Sequence, residues 1–221
     1  MKLLLTSGGL VNDSIRNALV DMLGKPIAEA TALFVPTAEQ PLGPFAVGRS
    51  AQSLLQQEWK AFGVLELTAL PSIPQAAWLP HLEAADVLLV GGGDPLYLCY
   101  WMQQAGLADL LPELGETVYV GMSAGSMVLA PNIGQEFVCW RPPNADSDGD
   151  GNGDKTLGLV DFAMFPHLDN PMLPENTLAA AERWAAQLTA PGYVVDDATA
   201  IQVIDGAVEV ISEGHWKLLT P

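Results

Sequence analysis

Positive charge is what this sequence has least of: 9 Lys and Arg stand against 26 Asp and Glu in 221 residues, a formal net charge of −17. That balance excludes a nucleic-acid partner, because holding a phosphate backbone requires cations that displace its counterions. It disfavours an anionic membrane surface for the same reason. Long apolar runs are also missing. No stretch approaches the roughly 18 consecutive apolar residues of a membrane span, and the opening Met1–Leu5 run meets Thr6, Ser7, Gly8 and Gly9 too soon for a secretion signal. The expected location is the cytoplasm. Cysteine is scarce, with Cys99 and Cys139 only. Without an export signal they are expected to be buried free thiols, and neither has the spacing of a metal site. No metal or cofactor is expected.

What is plentiful is apolar material, 49% of the chain, enough for one sizeable core. Residues 1–221 are read as one domain with an acidic loop insertion near 142–155. Buried strands are expected at Lys2–Leu5, Thr31–Val35, Val64–Leu67, Asp86–Val90, Thr117–Val120, Leu159–Phe165 and Tyr193–Val195. Helical spacing lies between them at Asp13–Leu23, Arg49–Phe62 and Glu175–Leu188, each followed by Gly or Pro. This alternation predicts an α/β three-layer sandwich with a mostly parallel central sheet. Ala200–Ile204, the Asp205-Gly206 turn and Val208–Ile211 predict a C-terminal β-hairpin, with Trp216–Leu219 as a third strand.

The most specific chemical signal is Gly121-Met-Ser-Ala-Gly125, between a strand and a helix expected over Ala124–Leu129. A serine on a tight strand-to-helix turn projects its hydroxyl above the sheet, and small neighbours let the backbone turn. Ser123 is the candidate nucleophile. Gly91-Gly-Gly-Asp94 follows another strand and opens a helix. Its glycines let backbone N–H groups approach a reacting centre, so Gly92 or Gly93, with Ala124, are the candidate oxyanion donors. A phosphate loop is not supported, since the lysine and the glycine spacing are both wrong. Of three histidines, His81 and His215 read as surface or packing residues. His167 ends a strand, where open α/β sheets place their sites, and is the candidate base.

These segments in this order resemble the peptidase E family of serine peptidases: the strand-GGGD-P-L-x-L segment, the GMSAGS elbow with Ala130-Pro-Asn-Ile133, and Phe165-Pro-His-Leu with Leu173-Pro-Glu175. The resemblance runs from the opening Leu-Leu-Leu-Thr-Ser to the Thr199–Gly206 hairpin. It implies a fold similar to class I glutamine amidotransferases, with Ser123 as nucleophile, His167 as base, and Gly92 or Gly93 with Ala124 as oxyanion donors. The implied activity is hydrolysis of short peptides, dipeptides above all, through an acyl-enzyme. No nucleic acid or membrane is expected as partner, and a homo-oligomer is left open.

The triad acid departs from the family pattern, whose Asp position falls on Val138 here. Glu136, two residues away, is the expected acid, with Asp169 second and a Ser–His dyad third. Asp196 and Asp197 read as turn residues ahead of the hairpin. The acidic run matches an EF-hand loop at Asp146, Asp148, Asp150 and Gly151, but Leu157 replaces the bidentate Glu, so it reads as a solvated insertion. Arg141 and Asp94 are the candidate substrate-binding residues. The family's arginine shortly after the histidine is missing until Arg183, so Asp-X dipeptides are not expected to be strongly preferred. Two rival readings are an α/β-hydrolase esterase, which shares the elbow, and a non-catalytic relative that keeps the pocket.

Overall fold

The structure, a computed structural model, describes residues 1–143 and 153–220. Strands β1 (Lys2–Thr6), β2 (Thr31–Val35), β3 (Ala61–Val64), β4 (Val87–Val90), β5 (Val118–Met122), β8 (Thr199–Ile204) and β9 (Ala207–Ser212) form a seven-stranded sheet ordered β3-β2-β4-β5-β1-β8-β9. The pairs among β1 to β5 are parallel. β8 joins β1 antiparallel and turns back into β9, so the hairpin closes one edge of the central sheet. A second sheet, ordered β10-β7-β6, contains β6 (Ala163–Phe165), β7 (Gly192–Val195) and β10 (Trp216–Leu219). The helices are α1 (Asp13–Leu23), α2 (Pro44–Leu55), α3 (Leu79–Glu83), α4 (Pro95–Gln104), α5 (Leu107–Leu110), α6 (Ala124–Met127) and α7 (Leu178–Ala185).

The layering follows from alternation along almost wholly apolar strands. Leu3 and Leu5 of β1, Leu88 and Val90 of β4 and Tyr119 of β5 face one core, shared with Leu98 and Met102 of α4. Leu4, Val87, Leu89, Val118 and Val120 face the opposite core, shared with Ile15, Leu19 and Met22 of α1. A parallel sheet whose crossover helices cover both faces must bury both sides of its strands, which is why these strands read as continuous apolar runs. A third cluster joins Phe165, Val194 and Trp184, packing β6 and β7 on α7.

Several boundaries differ from the sequence expectation. β3 lies at Ala61–Val64, ahead of Val64–Leu67, and α2 spans Pro44–Leu55 where Arg49–Phe62 was expected. Proline begins α2 naturally, because the missing N–H is one the first turn leaves unpaired anyway. Thr177 caps α7 by accepting from the Ala180 N–H, so the helix starts after Glu175. Only the last three residues of Leu159–Phe165 are strand, and they belong to the second sheet. Trp216–Leu219 pairs with β7 and does not extend the hairpin. The acidic segment 144–152 lies outside the described residues. At its far end Asp154 is buried and accepts from the Gly134 N–H.

Candidate active site

Ser123 links β5 to α6 with φ 49° and ψ −110°, a region that costs a non-glycine residue about 1–3 kcal/mol and tends to occur at functional positions. The turn is pinned from both sides. The Ser123 N–H donates to Thr6 O at 3.0 Å, and its carbonyl accepts from the N–H groups of Ser126 and Met127. The glycines of the motif are explained by close approach. A Cβ at Gly125 would collide with the Val90 carbonyl, and one at Gly121 would lie 2.7 Å from the Gly125 carbonyl carbon.

His167 follows β6, and its Nε2 lies 2.9 Å from Ser123 Oγ. On the far side of the ring, Nδ1 lies 2.6 Å from Asp197 Oδ1. A carboxylate only accepts, so Nδ1 carries the proton and Nε2 is free to accept from the serine hydroxyl. Asp197 is itself held. Ser7 Oγ donates to its Oδ1 at 2.9 Å, and Asn170 Nδ2 donates to its Oδ2. Ser7 also accepts the His167 backbone N–H at 2.8 Å, clamping histidine and acid together. The hydrogen bond from His167 above all holds the Asp197 carboxyl below its ordinary value of 3.8, against the opposing effect of burial. Gly8 must be small here, because a Cβ would come within 2.9 Å of Asp197 Cβ.

The Gly91–Asp94 loop passes beside the serine: a Cβ at Gly92 would stand 3.4 Å from Ser123 Cβ. Gly93 takes φ +125°, and a Cβ there would collide with the Ala38 carbonyl. Among the described residues the Gly92 and Gly93 amides donate to no backbone carbonyl, which leaves them available to a ligand. Two cavities meet at Ser123 and His167. The smaller, about 310 Å³, is walled by Glu39, Arg49 and Gly92. The larger, about 690 Å³, is walled by Phe137, Trp140, Phe165, Leu173 and Arg183. Among the described residues no group of three His, Cys, Asp or Glu side chains is placed to hold a metal ion, and no helix is long and apolar enough to cross a membrane.

The description of peptidase family S51 matches residues 3–211. The chain belongs to that family. It is a serine-type peptidase, similar to the uncharacterized peptidase PM1590 of Pasteurella multocida, with 26% identity over 86% of this chain and 88% of that protein. Peptidase E of Streptomyces coelicolor is 32% identical over 42% of this chain, a match that spans 36% of that protein. Among solved structures, a candidate peptidase E from Listeria monocytogenes EGD-e superposes with TM-score 0.70 over 96% of this chain and 98% of that one, at 20% identity. A peptidase from an acI-B1 Actinobacterium superposes with TM-score 0.66 over 99% and 93%, at 18% identity.

Within this S51 fold the expected acid is not on the histidine. Glu136 is exposed in a short turn, and its Oε1 accepts from Gln187 Nε2 at 2.7 Å. Asp169 points away as well, with Oδ2 3.6 Å from His215 Nε2. The two neighbouring acids before β8 divide the work instead. Asp196 is the turn residue expected, accepting from Ala198 N, Thr199 Oγ1 and His215 N, while Asp197 turns inward to His167. Asp94 lines the larger cavity, but its Oδ1 caps α4 by accepting from the Leu96 and Tyr97 N–H groups at 2.9 Å. Arg141 is exposed and lines neither cavity. Arg49 and Arg183 are the cations at the cleft. Arg49 arrives from α2, which no distance along the chain from His167 reveals. His81 and His215 are exposed, and both cysteines are free, but only Cys99 is buried as expected: it packs into the core from α4, whereas Cys139 is exposed in the loop after the short turn Gln135–Phe137.

Proposed function

We propose that this serine-type peptidase hydrolyses short peptides through an acyl-enzyme formed on Ser123. The unbroken chain of contacts from Ser123 Oγ through the imidazole of His167 to Asp197 carries the proposal. As the Ser123 oxygen attacks the carbonyl, His167 Nε2 takes its proton, and Asp197 stabilises the imidazolium while fixing the ring. The amides of Gly92 or Gly93 and of Ala124 stabilise the oxyanion. His167 then gives its proton to the departing amine, and water repeats the sequence on the ester. The cavities on either side of Ser123 suit a substrate of a few residues, with apolar and aromatic walls on the larger side.

The esterase alternative shares the elbow but is disfavoured by the order of the site residues along the chain. An α/β-hydrolase orders its triad Ser, acid, His along the chain, whereas here the order is Ser123, His167, Asp197.

The charges of the cleft support no strong preference for Asp as first residue. The smaller cavity sets an exposed Arg49 against a buried Glu39, and the larger sets Arg183 against Glu136 and Glu175. Neither offers the excess of positive charge that would select an anionic side chain. Across a panel of X-Leu dipeptides, Asp-Leu and Ala-Leu are expected to be cut with kcat/KM values within about tenfold. A hundredfold preference for Asp, roughly 2.7 kcal/mol, would overturn this, and its loss in Arg49→Ala or Arg183→Ala would identify the cation responsible.

A further inference from the structure

The larger cavity beside Ser123 has aromatic rings among its walls, and these rings are wedged by other rings. Phe165 of β6 packs against Phe137, at 5.3 Å between centroids and 71°, and against Trp184 of α7, at 5.4 Å and 64°. Trp140 packs against Tyr97 and Tyr100 of α4, at 5.2 Å and 86° and at 5.5 Å and 55°. Edge-on contacts of this kind fix the orientation of a ring and add to the energy of burial alone. The short segment from Phe137 to Trp140 thus carries two held rings, one in each aromatic group, and both line the cavity. Its backbone is tied to α4 as well. Burial raises the Asp94 carboxyl at the head of that helix, opposed by the N–H groups of Tyr97, Leu96 and Trp140. Met127 and Leu173 add further apolar wall, while the charged Glu136, Glu175 and Arg183 of the same cavity are exposed to solvent. Neither the triad nor the oxyanion site uses Phe137 or Trp140.

We infer that this cavity selects a large apolar side chain, above all an aromatic one, on the residue that departs with the amine, and that Trp140 determines the selection. The inference rests on the peptidase reading of Ser123. His167 must hand its proton to the departing nitrogen, so the leaving residue lies on the histidine's side of the serine. The larger cavity is the one on that side. It takes its wall from the consecutive residues Phe165, Pro166 and His167 and does not reach Gly92, which lines only the smaller cavity. A phenyl group entering it exchanges water for contact with rings that are already in place, so little ordering is required on binding. A methyl group in the same position leaves those rings wet.

Two peptides of one composition and opposite order test this. Initial rates are compared for Ala-Phe, Phe-Ala and Ala-Ala. Ala-Phe is expected to exceed each of the others in kcat/KM by about thirtyfold, the scale of burying one aromatic side chain. Trp140→Ala should cut its advantage over Ala-Ala to less than about fivefold. Trp140→Leu keeps apolar bulk against Tyr97 and Tyr100, stands in if the alanine variant does not fold, and should give the same reduction. Equal rates for Ala-Phe and Ala-Ala, a Phe-Ala rate at or above that of Ala-Phe, or an undiminished preference in either folded variant would each overturn the assignment. Binding is read separately by calorimetry in Ser123→Ala. Selective binding of Ala-Phe over Ala-Ala by a protein whose wild type hydrolyses no dipeptide would contradict the peptidase reading while supporting the aromatic pocket. Hydrolysis of both at equal rates would do the reverse, and neither hydrolysis nor saturable binding would overturn both.

Discussion

Ser123→Ala is expected to reduce peptide hydrolysis by about a millionfold, to the level left by binding and the oxyanion amides alone. The loss is large because the hydroxyl oxygen forms the new bond, and among the described residues Ser123 Oγ is the one nucleophile hydrogen-bonded to His167 Nε2. The fold should be unaffected. The strained turn at Ser123 is held by its own backbone groups, through the bond to Thr6 O and those from Ser126 and Met127, and all of these survive truncation to alanine. Steady-state kinetics on Ala-Leu, with thermal melts of both proteins, check the two halves together. Retention of even a hundredth of the activity would remove Ser123 from the mechanism.

Asp197→Asn and Glu136→Gln should separate sharply. The first is expected to lower kcat by roughly 10⁴-fold, because an amide that donates to Nδ1 forces the wrong imidazole tautomer and no longer balances the imidazolium. The second should stay within about threefold, as befits an exposed side chain whose partner is Gln187. A pH signature accompanies Asp197→Asn. His167, Ser7 and Asn170 hold the Asp197 carboxyl below 3.8 in the folded protein, so ionised Asp197 stabilises the fold above that pH. The contribution is lost as pH falls through the lowered value. The melting temperature of the wild type should therefore exceed that of Asp197→Asn near neutrality and approach it in strong acid. A gap that does not change with pH, or a larger kinetic effect from Glu136→Gln, would return the acid to the elbow-side loop.

How much of this was legible in the sequence depended on whether the signal was local. The elbow announces itself in five residues: Gly121 is dictated by the close approach of Gly125 within the turn, and Gly125 by the Val90 carbonyl of the neighbouring strand β4. The parallel core was legible because strands buried on both faces leave uninterrupted Val and Leu runs. The acid was not, because Asp196 and Asp197 are adjacent in one turn and only tertiary packing decides which faces inward. A usable signal did exist. β6 and β7 pair in parallel with Phe165 opposite Val194, so the residues just beyond their ends, His167 and the Asp196-Asp197 pair, emerge side by side. Reading Leu159–Phe165 as part of the main sheet concealed that neighbour relation. Arg49 and Glu39 were missed for a similar reason: they enter the cleft from the segment after β2, far along the chain from both serine and histidine, and the expected start of α2 at Arg49 hid the turn that precedes it.

The most direct test of a Ser123 nucleophile activated by His167 and Asp197 is intact-mass spectrometry after treatment with a fluorophosphonate, followed by peptide mapping. The account predicts a single adduct per chain, located on Ser123, absent in Ser123→Ala and formed far more slowly in Asp197→Asn. An active peptidase that takes up no label, or takes it up at another residue, would contradict it.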